Sequence, residues 1–196
     1  MPFIETIARE DATGQLATLY DRVGNPDGSI DNVMLVHSLS PASLKAHFEL
    51  YVTAMHKRSP LSRVEREMVG AYVSKLNHCE YCLTHHCAGL DRLLKGERPE
   101  APRAILESAA PAIARDELVF SERERAMFTY AGKLTQTPGK IAQDDVQALR
   151  AVGLDDRAIL DLAQVVAYFC FANRIALGLG AEIENFPIGQ HPAQSD

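Results

Sequence analysis

Four residues of the 196-residue chain have types and spacing suited to chemistry: Glu67, Cys79, Cys82 and His86. Cys79 and Cys82 form a Cys-x-x-Cys, His86 follows Cys82 by four residues, and Glu67 precedes Cys79 by twelve. On a helix, positions i, i+3 and i+7 make one stripe. Two thiols one turn apart can close a disulfide, and an imidazole on the same face can exchange protons with them. A cysteine in the first turn feels the positive end of the helix dipole, which favours thiolate and points to Cys79 as the more acidic of the two. Glu67 sits at the edge of an apolar face on the preceding helix. If it turns toward the thiols it can act as base or proton store. Dithiol redox chemistry is the leading reading. Zinc is the rival, with Cys79, Cys82, His86 and either His85 or Cys87 as ligands. Against it, all of these lie on one short stretch, and tetrahedral sites usually draw a second pair from another element. A third reading is a non-redox acid–base enzyme using Glu67 and His86.

Other candidates have plainer explanations. His85 points about 100° from His86 on a helix, which predicts a surface or interface position. Tyr81 is expected to face away from the cysteines and Tyr72 to pack. Cys87 and Cys170 read as packing residues, and His78 as a residue acting by its field alone. His37, His47 and His56 have no partner pattern and receive no role. Glu65 and Glu124 are explained by helix capping.

The elements that must position these groups are helical throughout. Ser62-x-x-Glu65 and Ser121-x-x-Glu124 are capping boxes, predicting helices from about Arg63 to Leu76 and from Ser121 to about Leu134. Further helices are expected from Thr13 to Gly24, from Ser40-Pro41 to Ser59, from Cys79 to Leu94, from Pro102 to Ala114 and from Asp144 to Val152. A long apolar one runs from Asp155 or Asp156 to Gly178 or Gly180. The last is apolar nearly all round, which predicts core burial together with a subunit interface. LSRVEREM (61–68) and FSERERAM (120–127) match at an offset of 59, with Glu67 facing Ala126. Val33–Val36 is the one β-flavoured run, too isolated for a sheet. The class is all-α, as one domain over 1–196 with its core at about 32–184 and a loose tail at 185–196.

Composition narrows the function. A net charge of −6 and the absence of Trp argue against nucleic-acid binding. The greasiest run, Leu162–Ala172, is short of a membrane span. The start carries no secretory signal, and clustered thiols suit a reducing cytoplasm. No haem, flavin or nucleotide motif is present, so no cofactor and no metal is expected.

Glu-x11-Cys-x-x-Cys-x-x-x-His, within LSRVEREMVGAYVSKLNHCEYCLTHH, resembles the signature of the alkylhydroperoxidase D-like family of the carboxymuconolactone decarboxylase-like superfamily. NVMLVHSLSPASLKAHFELY and NRIALGLGAEIE are similar to its peroxidase-related subgroup. The resemblance implies a multi-helical bundle with a core hairpin carrying the dithiol, and assembly into homo-oligomers, commonly trimers or hexamers. It also implies reduction of a small hydroperoxide with an external dithiol or disulfide-reductase as electron donor. Position by position it implies Cys82 as the more exposed, attacking thiol and Cys79 as its resolving partner. Glu67 and His86 become a proton relay. The dipole argument and the resemblance thus favour different first thiols. One departure is Tyr81, where the best-studied type of the family has a histidine. The superfamily's decarboxylase branch lacks the cysteine pair, so the pair argues against it.

Overall fold

The computed structural model describes residues 2–189, and among them regular structure is entirely helical. The helices are α1 (Gly14–Val23), α2 (Asn32–Leu35), α3 (Pro41–Met55), α4 (Arg63–Leu76), α5 (Glu80–Leu94), α6 (Glu100–Glu107), α7 (Ala110–Ile113), α8 (Glu122–Gln136), α9 (Gln143–Ala151) and α10 (Asp156–Leu179), with two short 3₁₀ turns. Their boundaries follow local chemistry. Both predicted capping boxes form, Ser62 with Glu65 and Ser121 with Glu124. Asp155 caps α10, accepting from Ala158 N–H, and Gly180 ends it in the left-handed region. The helix expected from Pro102 to Ala114 is two helices, broken at Ser108–Ala109. Pro111 has no N–H to give and its ring excludes the carbonyl four residues earlier, so the chain restarts as α7. The β-flavoured Val33–Val36 lies in α2 and its C-cap.

α10 is the axis of the bundle. Leu162, Val165, Val166 and Phe169 are fully buried against α4 and α8, while α3 and α5 pack alongside. By length and mean hydropathy α10 is the one helix among the described residues that could cross a membrane. It is the core helix of this bundle. Its remaining apolar residues stay open: Leu160 is 53%, Phe171 40% and Leu177 48% exposed. Core burial thus accounts for one side of the helix only. A smaller core joins α1, α2 and α3 through Leu16, Tyr20, Leu44 and Phe48.

Two glycines set the close approaches. A methyl group at Gly70 would lie 2.3 Å from the Phe169 ring, so glycine lets α10 seat against α4. A methyl at Gly89 would meet the Glu67 carboxylate at 3.4 Å, so glycine on α5 makes room for that group.

After α10 the chain returns across α5 and α2. Asn32 N–H and the Asn32 side chain hold Glu184 and the Glu182 carbonyl, and Arg92 donates to the carbonyls of Ile188 and Gly189. The segment expected to be loose from Asn185 is therefore tied down as far as Gly189. The rest of that expected tail, 190–196, lies outside the described residues.

Candidate active site

The α4–α5 junction places the thiols. α4 ends in a Schellman turn, with His78 N–H bonded to Lys75 C=O and Cys79 N–H to Ser74 C=O. The left-handed residue is His78, at φ 56°, where glycine is usual. This tight reversal delivers Cys79 as the N-cap of α5 and Cys82 into its first turn. Both are reduced and buried, Cys79 1% and Cys82 4% exposed. The expected greater exposure of Cys82 is thus slight within one chain. The decisive difference is which space each faces.

Cys82 lines a small cavity of about 50 Å³ together with Glu67, Tyr81, His85, His86, Gly89, Tyr168 and Phe169. One water needs roughly 10–15 Å³, so a few small molecules fit. Cys79 faces the other side of α5. It lines an open groove of about 510 Å³ with His78, Lys75, Glu80 and Leu83.

The two thiols influence each other's ionisation. The Cys79 thiol is pulled down to about 7, chiefly by the bond from the Cys82 thiol, with the Cys82 backbone N–H and Asn173 adding to it against burial. The Cys82 thiol is pushed up, because its proton is held by Cys79 and because it is buried. Cys79, at the N-terminus of α5, is therefore the more acidic thiol of the pair, as the dipole argument expects.

Glu67 points inward. It is 1% exposed, and His86 Nδ1 donates to its Oε2 at 2.6 Å. Arg63, one turn before it, stands 4.0 Å from Oε1. With Nδ1–H committed to the carboxylate, a neutral His86 keeps Nε2 as a free acceptor. The ring packs edge-on against Phe169 at 4.5 Å. The structure thus brings Glu67, Cys82 and His86 to one cavity and places Cys79, at the N-cap of α5, on the other side of that helix.

Two placements differ from expectation. His85 is buried rather than on the surface, and its Nε2 donates to Glu184 Oε2 at 2.6 Å. Tyr81 stacks on His85 at 4.4 Å, and its hydroxyl donates to Glu184 Oε1 at 2.6 Å. The reason is the returning chain: residues 182–184 cover the side of α5 that would otherwise face solvent. Tyr81, Cys82, His85, His86 and Gly89 then form one broad cavity-facing surface. Burial alone would raise the Glu184 carboxyl, but the bonds from His85, Tyr81 and Asn32 N–H hold it below its ordinary value. Asp31 closes the far wall, its carboxyl raised by burial.

Further residues were not legible as functional. Asn173 is fully buried, lowers the pKa of both thiols, donates to Ser74 Oγ at 3.1 Å and accepts from Asn77 at 2.9 Å. The signal was present: an amide in the apolar run of α10 needs partners. His37 and His47, given no role above, are buried and bonded to each other. Cys87 is a core residue whose thiol burial pushes up to about 12. Cys170 is half-buried beside Asn77 and Thr135. Among the described residues no three His, Cys, Asp or Glu side chains are placed to hold a metal ion. His85 is committed to Glu184 and Cys87 to the core, so neither completes the zinc set considered above.

Residues 41–131 match the carboxymuconolactone decarboxylase family, a span that includes all four site residues. A peroxidase-related protein from Silicibacter sp. is 29% identical, with 81% of this chain and 78% of that one covered at a TM-score of 0.72. An alkylhydroperoxidase AhpD core protein from Ralstonia eutropha, also peroxidase-related, is 26% identical over 96% of this chain and 100% of that one, at a TM-score of 0.75. Residues 41–131 are thus similar to the carboxymuconolactone decarboxylase family, and the chain as a whole to peroxidase-related proteins with the alkylhydroperoxidase AhpD core. The family is one of enzymes, and the all-helical bundle is its fold. A debrominase shares that fold at 20% identity, covering 93% and 92% at a TM-score of 0.73, so the scaffold is not tied to one substrate. No curated protein matches the chain in sequence. Tyr81 joins Glu184 and His85 in a second polar network beside the cavity.

Proposed function

We propose that this protein is a thiol-dependent peroxidase. The observation that carries the reading is the placement of Cys82 in a small cavity beside the Glu67–His86 pair, with the more acidic Cys79 three residues before it. Cys82 passes its proton to Cys79 or, by way of His86, to the Glu67 pair. Its sulfur attacks the terminal oxygen of the hydroperoxide, the O–O bond breaks, and the protonated alkoxide leaves as alcohol or water. Cys82 is then a sulfenic acid. Cys79 attacks the Cys82 sulfur, water leaves, and the Cys79–Cys82 disulfide forms. An external dithiol takes up the other half of the cycle, becoming oxidised as it restores both thiols. The groove beside Cys79 suits its approach, on the side opposite the peroxide. A cytoplasmic setting and a homo-oligomer covering Leu160, Phe171 and Leu177 complete the reading.

The test is mass spectrometry after limiting hydrogen peroxide, with alkylation trapping. The expected product is a Cys79–Cys82 disulfide with Cys87 and Cys170 alkylated. Cys82→Ser should abolish peroxide consumption, and Cys79→Ser should stop the cycle after one oxidation. Oxidation confined to Cys170, or a Cys79→Ser protein that turns over with dithiothreitol, overturns the two-thiol scheme. Full activity of a double Cys→Ala protein on a non-peroxide substrate would turn the reading to Glu67 and His86 as acid and base.

A further inference from the structure

Breaking the O–O bond leaves an alkoxide or hydroxide, a strong base that needs a proton as it departs. A second route into the cavity, separate from Glu67 and His86, is present in the structure. Tyr168 of α10 lines the cavity wall. Its hydroxyl lies 3.1 Å from His47 Nε2. His47 Nδ1 lies 2.7 Å from His37 Nε2, and His37 Nδ1 lies 2.7 Å from Ser43 Oγ. His37, His47 and Tyr168 are buried, and Ser43, near the start of α3, is partly open to solvent. The chain thus crosses from surface to cavity through three elements with no missing link.

The histidines suit the role. Burial pushes His47 down to about 3 with help from His37, and burial also lowers His37. Each ring is therefore neutral at pH 7, with one N–H to give and one lone pair to receive. Burial raises the Tyr168 phenol well above its usual value, so it remains protonated. Either polarity satisfies every link, and the one that serves the cavity runs inward from Ser43. Ser43 O–H donates to His37, His37 Nε2–H to His47, and His47 Nε2–H to the Tyr168 oxygen. The Tyr168 proton is then free to point into the cavity.

Building on the peroxidase reading, we propose that Tyr168 is the proton donor to the leaving oxygen of the hydroperoxide, fed from solvent through Ser43, His37 and His47. As the sulfur–oxygen bond forms and the O–O bond breaks, the Tyr168 proton moves to the departing oxygen. The His47 Nε2 proton moves to Tyr168, the His37 Nε2 proton to His47 Nδ1, the Ser43 proton to His37 Nδ1, and water reprotonates Ser43. One proton enters from solvent, one leaves with the alcohol, and the polarity of the chain is reversed. Tyr168 is the catalytic residue of the set, and His47 and His37 are positioning residues that act through it.

Leaving-group dependence tests this. Ethyl hydroperoxide expels ethoxide and needs the proton, whereas peracetic acid expels acetate and does not. Stopped-flow rates of Cys79–Cys82 disulfide formation would be measured for both oxidants in wild type, Tyr168→Phe and His47→Gln. Circular dichroism would confirm folded protein. The expected result is a loss of about 10²-fold with ethyl hydroperoxide in Tyr168→Phe, with peracetic acid changed by less than about threefold. His47→Gln should show a smaller loss with the same selectivity. Because the comparison lies between two oxidants on one variant, loosened packing alone would slow both alike. Equal losses, or no loss, overturn the donor while leaving the peroxidase reading standing. A wild type that neither oxidant converts to the disulfide overturns that reading and the donor with it.

Discussion

α4 and α8 begin alike and end differently. Each opens on a serine cap whose oxygen accepts from the N–H three residues on, at 3.1 Å for Ser62 and 3.3 Å for Ser121. Each capping-box glutamate returns the bond and is gripped by an arginine from elsewhere, Glu65 by Arg123 and Glu124 by Arg98. Met68 and Met127 are equally buried. The two helices then diverge. At the shared offset Glu67 faces Ala126, Gly70 faces Thr129, Cys79 faces Pro138, Cys82 faces Ile141 and His86 faces Asp145. α4 reverses through a Schellman turn into a cysteine-capped helix. α8 runs into a 3₁₀ turn opened by Pro138, and Asp145 pairs with Lys133 at 2.6 Å. The shared residues stabilise a capped amphipathic helix. What separates the hairpin that carries the candidate site from its structural counterpart is a buried carboxylate, a glycine facing the core helix and a turn that restarts the chain with sulfur at its tip.

The largest effect expected from this contrast is on Glu67. Glu67→Gln removes the charge that orients His86 and should slow peroxide-driven disulfide formation by about 10²-fold or more, measured by stopped-flow thiol loss. A rate within a few-fold of wild type would reduce Glu67 to packing, as Ala126 is in α8. The glycine contrast comes next. Gly70→Ala drives a methyl into Phe169 and should cost about 1–3 kcal/mol by chemical denaturation. Thr129→Ala, at the exposed matching position, should stay within about 0.5 kcal/mol. Equal costs would show that the two helices meet the core in the same way.

Much of this divergence was legible in the residues. The capping boxes, the Asp155 cap and the clustering of Glu67, Cys79, Cys82 and His86 follow from spacing, because caps and helical stripes are local. The cavity wall was less so. His85 and Tyr81 bond to Glu184, about a hundred residues further along the chain. Helical phase cannot see a segment that folds back from so far. The His37–His47–Tyr168 chain was hidden for the same reason, since its links come from three elements. Asn173 was the readable miss, for a buried amide among apolar neighbours must bond to something. The Pro102–Ala114 helix failed on a local rule: Pro111 forbids what the apolar spacing allows.

The thiol pair gives the contrast a pH signature that α8 lacks. With Cys79 at about 7 against an ordinary value of 9.0, its alkylation by iodoacetamide should rise with pH and level off above about 7. Between about 7 and 9 the folded, reduced protein binds fewer protons than the unfolded chain. Its stability should therefore rise with pH across that window and be lost as pH falls through about 7. Cys79→Ser should flatten the profile there. An alkylation midpoint near 9 in wild type would mean that neither the α5 dipole nor the Cys82 bonds hold the thiolate.

The smallest effects should come from the shared caps, and here the two helices are expected to agree. Ser62→Ala and Ser121→Ala each leave one N–H at a helix start without its partner, costing about 1 kcal/mol, or roughly 2–4 °C in melting temperature for a chain of this size. Reactivity should remain near wild type in both. Glu67 lies more than a turn past the Ser62 cap, and its position is fixed by His86 and by the space at Gly89. Fraying of the first turn of α4 therefore stops short of it. If Ser62→Ala instead slowed disulfide formation in step with Glu67→Gln, while Ser121→Ala left it untouched, the cap of α4 would belong to the catalytic apparatus. The likeness between the two helices would then end at their first residue.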